Sequence, residues 1–180
     1  MKHAFFPALV SLVFVALAGP AGAHGPTPQK VEQTIAIAAT PEKVWSVLKS
    51  YGDVASWNPL VASSKSSDGD KAGATRALVL KKGGEINEDL DEYDAAAMSY
   101  SYRLKDPNLD ALPVSFYSAT IDVKPSPEGA LVEWFGRFYR GDTSNFPPDE
   151  LNDEAAVNAM NAFMKTGLEG LKAKVEGKAP

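Results

Sequence analysis

The stretch TIAIAATPEKVWSVLKSYGDVASWNPLV, Thr34 to Val61, passes from strand to helix, to a second short helix, and back to strand. Thr34 to Ile37 alternates and is rich in β-branched residues, which predicts a strand. Thr40 offers an N-cap hydroxyl and Pro41 takes the first helical position, where a missing N–H costs nothing. Glu42 and Lys43 lead into Val44, Trp45, Val47 and Leu48, which share one apolar face. Tyr51-Gly52-Asp53 ends that helix. Val54 to Trp57 supplies one further turn, Asn58-Pro59 stops it, and Leu60 and Val61 open the next strand.

Outward from this stretch, the first strand extends back to Lys30, behind an arm, Gly25 to Gln29, that holds two prolines. Downstream, alternation and turn residues predict six successive strands: Leu60–Ser66, Ala74–Lys81, Ile86–Tyr93, Met98–Leu104, Pro113–Val123 and Ala130–Arg140. Ser67-Asp68-Gly69-Asp70, Gly83-Gly84, Asp94-Ala95-Ala96 and Pro125–Gly129 are turns, and Asp106-Pro107-Asn108 opens a longer loop. After the loop Gly141–Pro148, a long helix is expected over about Asp149–Val175. Its apolar positions Leu151, Val157, Met160, Met164, Leu168, Leu171 and Val175 fall on one face after the first turn. At 1.5 Å per residue it would span roughly 40 Å. Gly167 and Gly170 lie on or beside that face, either for close packing or to leave room for a ligand. Strands bracketed by an early helix pair and one late helix make an α+β chain.

Ala39-Thr40-Pro41-Glu42-Lys43-Val44-Trp45-Ser46-Val47-Leu48, followed by Tyr51-Gly52-Asp53-Val54-Ala55-Ser56-Trp57-Asn58-Pro59, resembles the opening of the SRPBCC superfamily (START, Bet v 1 and polyketide-cyclase-like domains). The resemblance covers nearly the whole chain after residue 29. It implies a helix-grip, Bet v 1-like fold. There a curved antiparallel sheet of about seven strands wraps a long C-terminal helix, two short helices follow the first strand, and a cavity lies between sheet and helix. The fold hosts carriers, receptors and enzymes, so it does not decide function.

The chain has 180 residues. Residues 1–23 read as a cleaved secretory signal: Lys2 at the start, an apolar centre from Ala4 to Leu17, and the small residues Ala21-Gly22-Ala23 before the cut. Residues 24–29 then form the arm and 30–177 the domain, in a periplasmic protein. Lys2 is the one charged side chain lost, which leaves 17 basic against 23 acidic residues, a net of −6. That balance argues against nucleic acid and against an anionic membrane surface, and suits a basic partner or plain solubility. There is no cysteine, hence no disulfide, thiolate metal site or cysteine nucleophile.

His3 leaves with the signal, so His24 is the one histidine of the mature chain. That excludes a Ser-His-Asp arrangement and a His-rich zinc or copper site. No phosphate-binding glycine loop is present. The run Asp89, Asp91, Glu92, Asp94 lacks the glycine and spacing of a calcium loop and reads as a solvated edge. No catalytic residue, metal or cofactor is assigned.

Strand alternation predicts the inward side chains: Met98, Tyr100, Tyr102 and Leu104 on the fifth strand, Tyr117, Ala119, Ile121 and Val123 on the sixth, Val132, Trp134 and Phe138 on the seventh. With Met160 and Met164 from the long helix, these would line a cavity for a small hydrophobic ligand or fill a core. Glu88 alternates with Ile86 and Leu90 and so falls on an apolar face. It also matches the acidic residue of the superfamily's corresponding strand. A buried carboxylate must be paired, hydrogen-bonded or protonated; Glu88 is expected to face the cavity with the other candidates, and Arg76 is one candidate for a structural partner. In the superfamily the Lys81–Glu85 turn and the Asp106–Pro113 segment would frame the entrance, with Phe146 adding an apolar contact.

The mature start His24-Gly25-Pro26-Thr27-Pro28-Gln29-Lys30-Val31, together with the Ala-Thr-Pro-Glu-Lys-Val-Trp segment, is similar to the MxaD-type periplasmic proteins of methanol oxidation. That resemblance implies a non-enzymatic accessory role, assisting methanol dehydrogenase with its c-type cytochrome, and carries no catalytic residues. A carrier or sensor of a small hydrophobic molecule is the alternative, and a cyclase- or aromatase-like enzyme using Glu88 and tyrosines is a third.

Overall fold

A computed structural model describes residues 25–177. The signal expected over residues 1–23, and His24, lie outside the described residues. Strand β1 (Gln29–Ile37) leads into helix α1 (Pro41–Leu48) and a 3-10 turn (Val54–Ser56). Six strands follow: β2 (Val61–Ser66), β3 (Thr75–Leu80), β4 (Glu85–Asp94), β5 (Ser99–Asp106), β6 (Val114–Ser126) and β7 (Gly129–Arg140). A second 3-10 turn (Asp149–Leu151) precedes helix α2 (Asp153–Glu176).

All pairings are antiparallel, in the order β1-β7-β6-β5-β4-β3-β2. Consecutive strands from β2 to β7 are neighbours, and β1 closes the far edge against β7. The curled sheet grips α2, so the expected α+β helix-grip architecture is the one observed. The Thr40 hydroxyl accepts from Lys43 N, with Pro41 inside the first turn, and Val44, Trp45 and Leu48 are buried.

Helix α2 starts four residues later than the apolar period suggested. The Asn152 side chain accepts from Ala155 N at 2.9 Å and sets the helix start there, which leaves Leu151 in the preceding 3-10 turn. The helix ends at Gly177 in the left-handed conformation. Its inward face includes Phe163 as well as Met160, Met164, Leu168, Leu171 and Val175.

Three glycines let the layers approach. A Cβ on Gly136 of β7 would sit 3.1 Å from Met164 and 3.2 Å from Val31. One on Gly167 would sit 2.7 Å from Asn58 Nδ2 and 2.9 Å from the Trp134 ring, and one on Gly170 2.2 Å from the Trp57 carbonyl oxygen. Close packing therefore accounts for the two glycines of α2.

Candidate functional site

The interior under β3, β4, β5 and β6 is built around one ion pair. Register sets Arg76 of β3 directly opposite Glu88 of β4, and both are buried, at 3% and 1% exposure. Arg76 Nε donates to Glu88 Oε2, and the Tyr117 hydroxyl donates to Glu88 Oε1. Arg76 Nη1 donates to the Tyr51 carbonyl at 3.0 Å, tying β3 to the end of the α1 region. The guanidinium lies 4.1 Å from the ring centre of Tyr51 and 4.4 Å from that of Tyr102, a cation–π sandwich. Trp134 Nε1 donates to the Tyr102 hydroxyl at 2.8 Å, extending the network to β7.

The electrostatics follow from this packing. Burial is the largest single influence on Arg76 and opposes its charge, but Glu88 together with Tyr51, Tyr100 and Tyr102 raises the guanidinium pKa above its ordinary value. Burial pushes the hydroxyls of Tyr51, Tyr100, Tyr102 and Tyr117 up as well. Glu88, held on both oxygens, is satisfied as a buried carboxylate must be.

The expected cavity residues are placed as follows. Glu88, Tyr100, Tyr102, Tyr117, Trp134, Phe138, Met160 and Met164 are all buried, between 1% and 3% exposed, and pack with one another and their neighbours. Tyr102 meets Tyr117 edge-on at 6.4 Å, and Trp134 meets Trp57 and Phe163 edge-on at 5.7 and 5.9 Å. Met98 stands apart: it precedes β5, holds a left-handed φ of 55° in the β4–β5 turn, and is half-buried at the edge of the core.

None of these nine lines the apolar pocket of about 250 Å³ that opens between the sheet edge and α2. Its walls are Leu60, Leu80, Leu112, Ala159, Ala162 and Phe163, and Lys81 and Lys82 stand at its rim. The two loops expected at the entrance do frame it, through Lys81 and Lys82 on one side and Leu112 on the other. They are joined: Asn108 Nδ2 donates to the Glu85 carbonyl at 3.0 Å, and a Cβ on Gly84 would lie 2.8 Å from Ala111 Cα.

Phe146 adds no contact to this entrance. It is 93% exposed. The acidic run is a paired outer face: Arg103 of β5 bridges to Asp91 and, at 3.8 Å, to Asp89. Among the described residues no group of three or more His, Asp or Glu side chains could hold a metal ion. No helix there is long and apolar enough to cross a membrane.

The helix walls Ala159, Ala162 and Phe163 were missed from sequence because they lie beside the main apolar period, whereas Leu112 falls in the Asp106–Pro113 segment expected at the entrance. The one signal available was Phe163 between Met160 and Met164.

Residues 28–176 match the family model described as polyketide cyclase / dehydrase and lipid transport. No curated protein matches the sequence. Among solved structures, the chain is similar to the protein XoxI from Bacillus cereus, with 28% identity and a TM-score of 0.66, over 83% of this chain and 95% of that one. A protein from Nitrosospira multiformis is 26% identical with a TM-score of 0.65, over 82% and 96%. Ara h 8.0201, at 15% identity, shares the fold alone, with a TM-score of 0.60 over 84% and 100%. The match over most of its length, on this curled sheet and gripped helix, means that the chain belongs to the polyketide cyclase / dehydrase and lipid transport family of the SRPBCC superfamily.

Proposed function

We propose that the protein is a non-enzymatic accessory protein of the periplasm that works through its outer surface, assisting methanol dehydrogenase with its c-type cytochrome as the MxaD-type resemblance implies. The observation that carries this reading is the packing of the interior among the described residues. The aromatic side chains that would line a deep cavity pack on one another, and Glu88 is bound on both oxygens by Arg76 and Tyr117. A cyclase-like reaction would need a carboxylate free to take or give a proton, in reach of a substrate. An acidic mature chain, net −6, suits a basic protein partner.

The test is capture of partners by the tagged mature protein from its own periplasm, read by mass spectrometry. Retention of methanol dehydrogenase or a c-type cytochrome in near-equal amount is the expected result. Retention of neither, with a small molecule carried on the protein, would replace this reading by the second.

The second reading is a carrier of a small amphipathic molecule, favoured by the apolar pocket with Lys81 and Lys82 at its rim. Filling it with Ala162→Trp would then abolish binding of the carried molecule, while Phe146→Ala, which removes no contact at the entrance, would leave it unchanged.

A further inference from the structure

Arg140 closes β7 and points its guanidinium into the loop that follows. Its Nε donates to the Asp142 carbonyl at 2.7 Å, its Nη2 to the Ser144 carbonyl at 2.8 Å, and its Nη1 to Asp153 Oδ2 at 2.8 Å on the first turn of α2. Asp142 Oδ1 in turn accepts from Ser144 N at 2.8 Å. One side chain thus clamps both arms of the loop.

The clamped loop presents Phe146, which is 93% exposed, far more than any other large apolar side chain described. Pro147 follows directly and restricts Phe146 to extended backbone, and Pro148 continues the extended path. An aromatic ring left in water on a free loop would fold back onto apolar surface such as Leu109, 40% exposed, or Leu151. Here the clamp and the two prolines hold it away. Leu109 and Leu151 both lie beside Gly141 at the foot of the loop, 3.1 and 2.9 Å from where its Cβ would be.

The surroundings carry one sign of charge. From Gly141 to Met164 there are five carboxylates and no Lys, Arg or His. Arg140, the adjacent cation, is engaged by Asp153. Across Leu109 the same end of the molecule continues into a hollow edged by Glu85, Asp106 and Asp110.

We infer that the Phe146 loop is a protein-docking knob, and that its partner presents an apolar pocket ringed by lysine and arginine. A rigid aromatic already held in its bound position loses little conformational entropy on docking, and such residues dominate the affinity of interfaces. The carboxylates around it steer and orient a basic partner. This inference rests on the accessory reading above, and supplies the surface by which it would work.

The test places a photo-crosslinking p-benzoylphenylalanine at position 146, and for comparison at Val79, an exposed strand residue, in the full chain in its own cells. The crosslinked protein is identified, purified, and its affinity measured for wild type, Phe146→Ala and the double variant Asp149→Lys/Glu150→Lys. The expected result is one protein captured from position 146 and not from position 79, through a peptide rich in Lys and Arg. Its binding should weaken about thirty-fold in Phe146→Ala, and markedly in the charge variant or on raising salt. No crosslink from position 146, or affinity indifferent to Phe146→Ala, overturns the inference. If the captured partner is neither methanol dehydrogenase nor a c-type cytochrome, the knob stands and the accessory reading of methanol oxidation falls.

Discussion

Two arginines hold two parts of this molecule, and they do different work. Arg76 sits in the core with Glu88, the Tyr51 carbonyl and two aromatic faces. Arg140 sits at the rim with Asp153 and two loop carbonyls. Both make an ion pair and bond to backbone. Besides the aromatic faces, burial separates them: Arg76 and Glu88 are almost wholly out of water, whereas Arg140 is 12% and Asp153 41% exposed. A buried pair is costly to break because the survivor is left charged in a poor solvent, while a half-exposed one is replaced by water at little cost. The first therefore holds the fold, and the second positions a loop.

The largest expected effect falls on the core side, at alkaline pH. Tyr51, Tyr100, Tyr102 and Tyr117 have hydroxyl pKa values raised by burial above their ordinary value of 10.0. In the unfolded chain they ionise near that value, so the native state binds more protons above it. Their contribution is present in full below about pH 10 and lost as pH rises from there. Each tyrosine can lose up to about 1.4 kcal/mol per pH unit. Urea melts at pH 9, 10 and 11 should show stability falling steeply over the last step, and a flat profile would contradict the burial of these rings.

Next comes the pair itself. Glu88→Gln leaves Arg76 charged and unpaired, and should cost about 3–5 kcal/mol in urea unfolding at pH 7. Unchanged stability would remove Glu88 from the centre of the account. Gly170→Ala should cost about 1–3 kcal/mol, as in overpacked cores, although alanine is the better helix former by about 1 kcal/mol. Its Cβ would meet the Trp57 carbonyl at 2.2 Å, a backbone atom that cannot step aside. A stabilised variant would mean that α2 does not lie so close to the Trp57-Asn58-Pro59 turn.

The rim side should show the smallest effect on stability. Arg140→Ala is expected to cost no more than about 1 kcal/mol, yet to weaken docking through Phe146 as the loop loses its clamp. A large loss of stability would make the two arginines alike and sink the comparison.

Much of the interior was legible in the sequence because strand alternation is a geometric rule. Tyr100, Tyr102, Tyr117, Trp134 and Phe138 point inward as their positions require, and Glu88 falls among them. A buried acid needs a base, which made Arg76 one candidate partner; the register of β3 against β4 is what brings the two together. Met98 departs from the pattern because its left-handed backbone puts it in the turn before β5, where alternation no longer applies. The start of α2 was displaced because a capping side chain, Asn152, overrides the apolar period there.

The pocket was less legible. It depends on two loops meeting through Gly84 and Ala111 and on Phe163 facing them, and no periodicity records contacts between loops. The Phe146 loop was recognised as a loop, but its outward pose depends on Arg140 reaching across a turn, a contact that only the fold brings about.

If the protein works through its outer surface, as proposed, the interior serves only as a scaffold. The most direct measurement removes the polar centre altogether, with Arg76→Met, Glu88→Leu and Tyr117→Phe in one variant. A buried ion pair can be replaced by apolar residues of similar volume without loss of stability. The result expected is a folded variant that binds methanol dehydrogenase or the cytochrome with wild-type affinity. A variant that folds with a cooperative melt but no longer binds would contradict it, and would place the function in the interior.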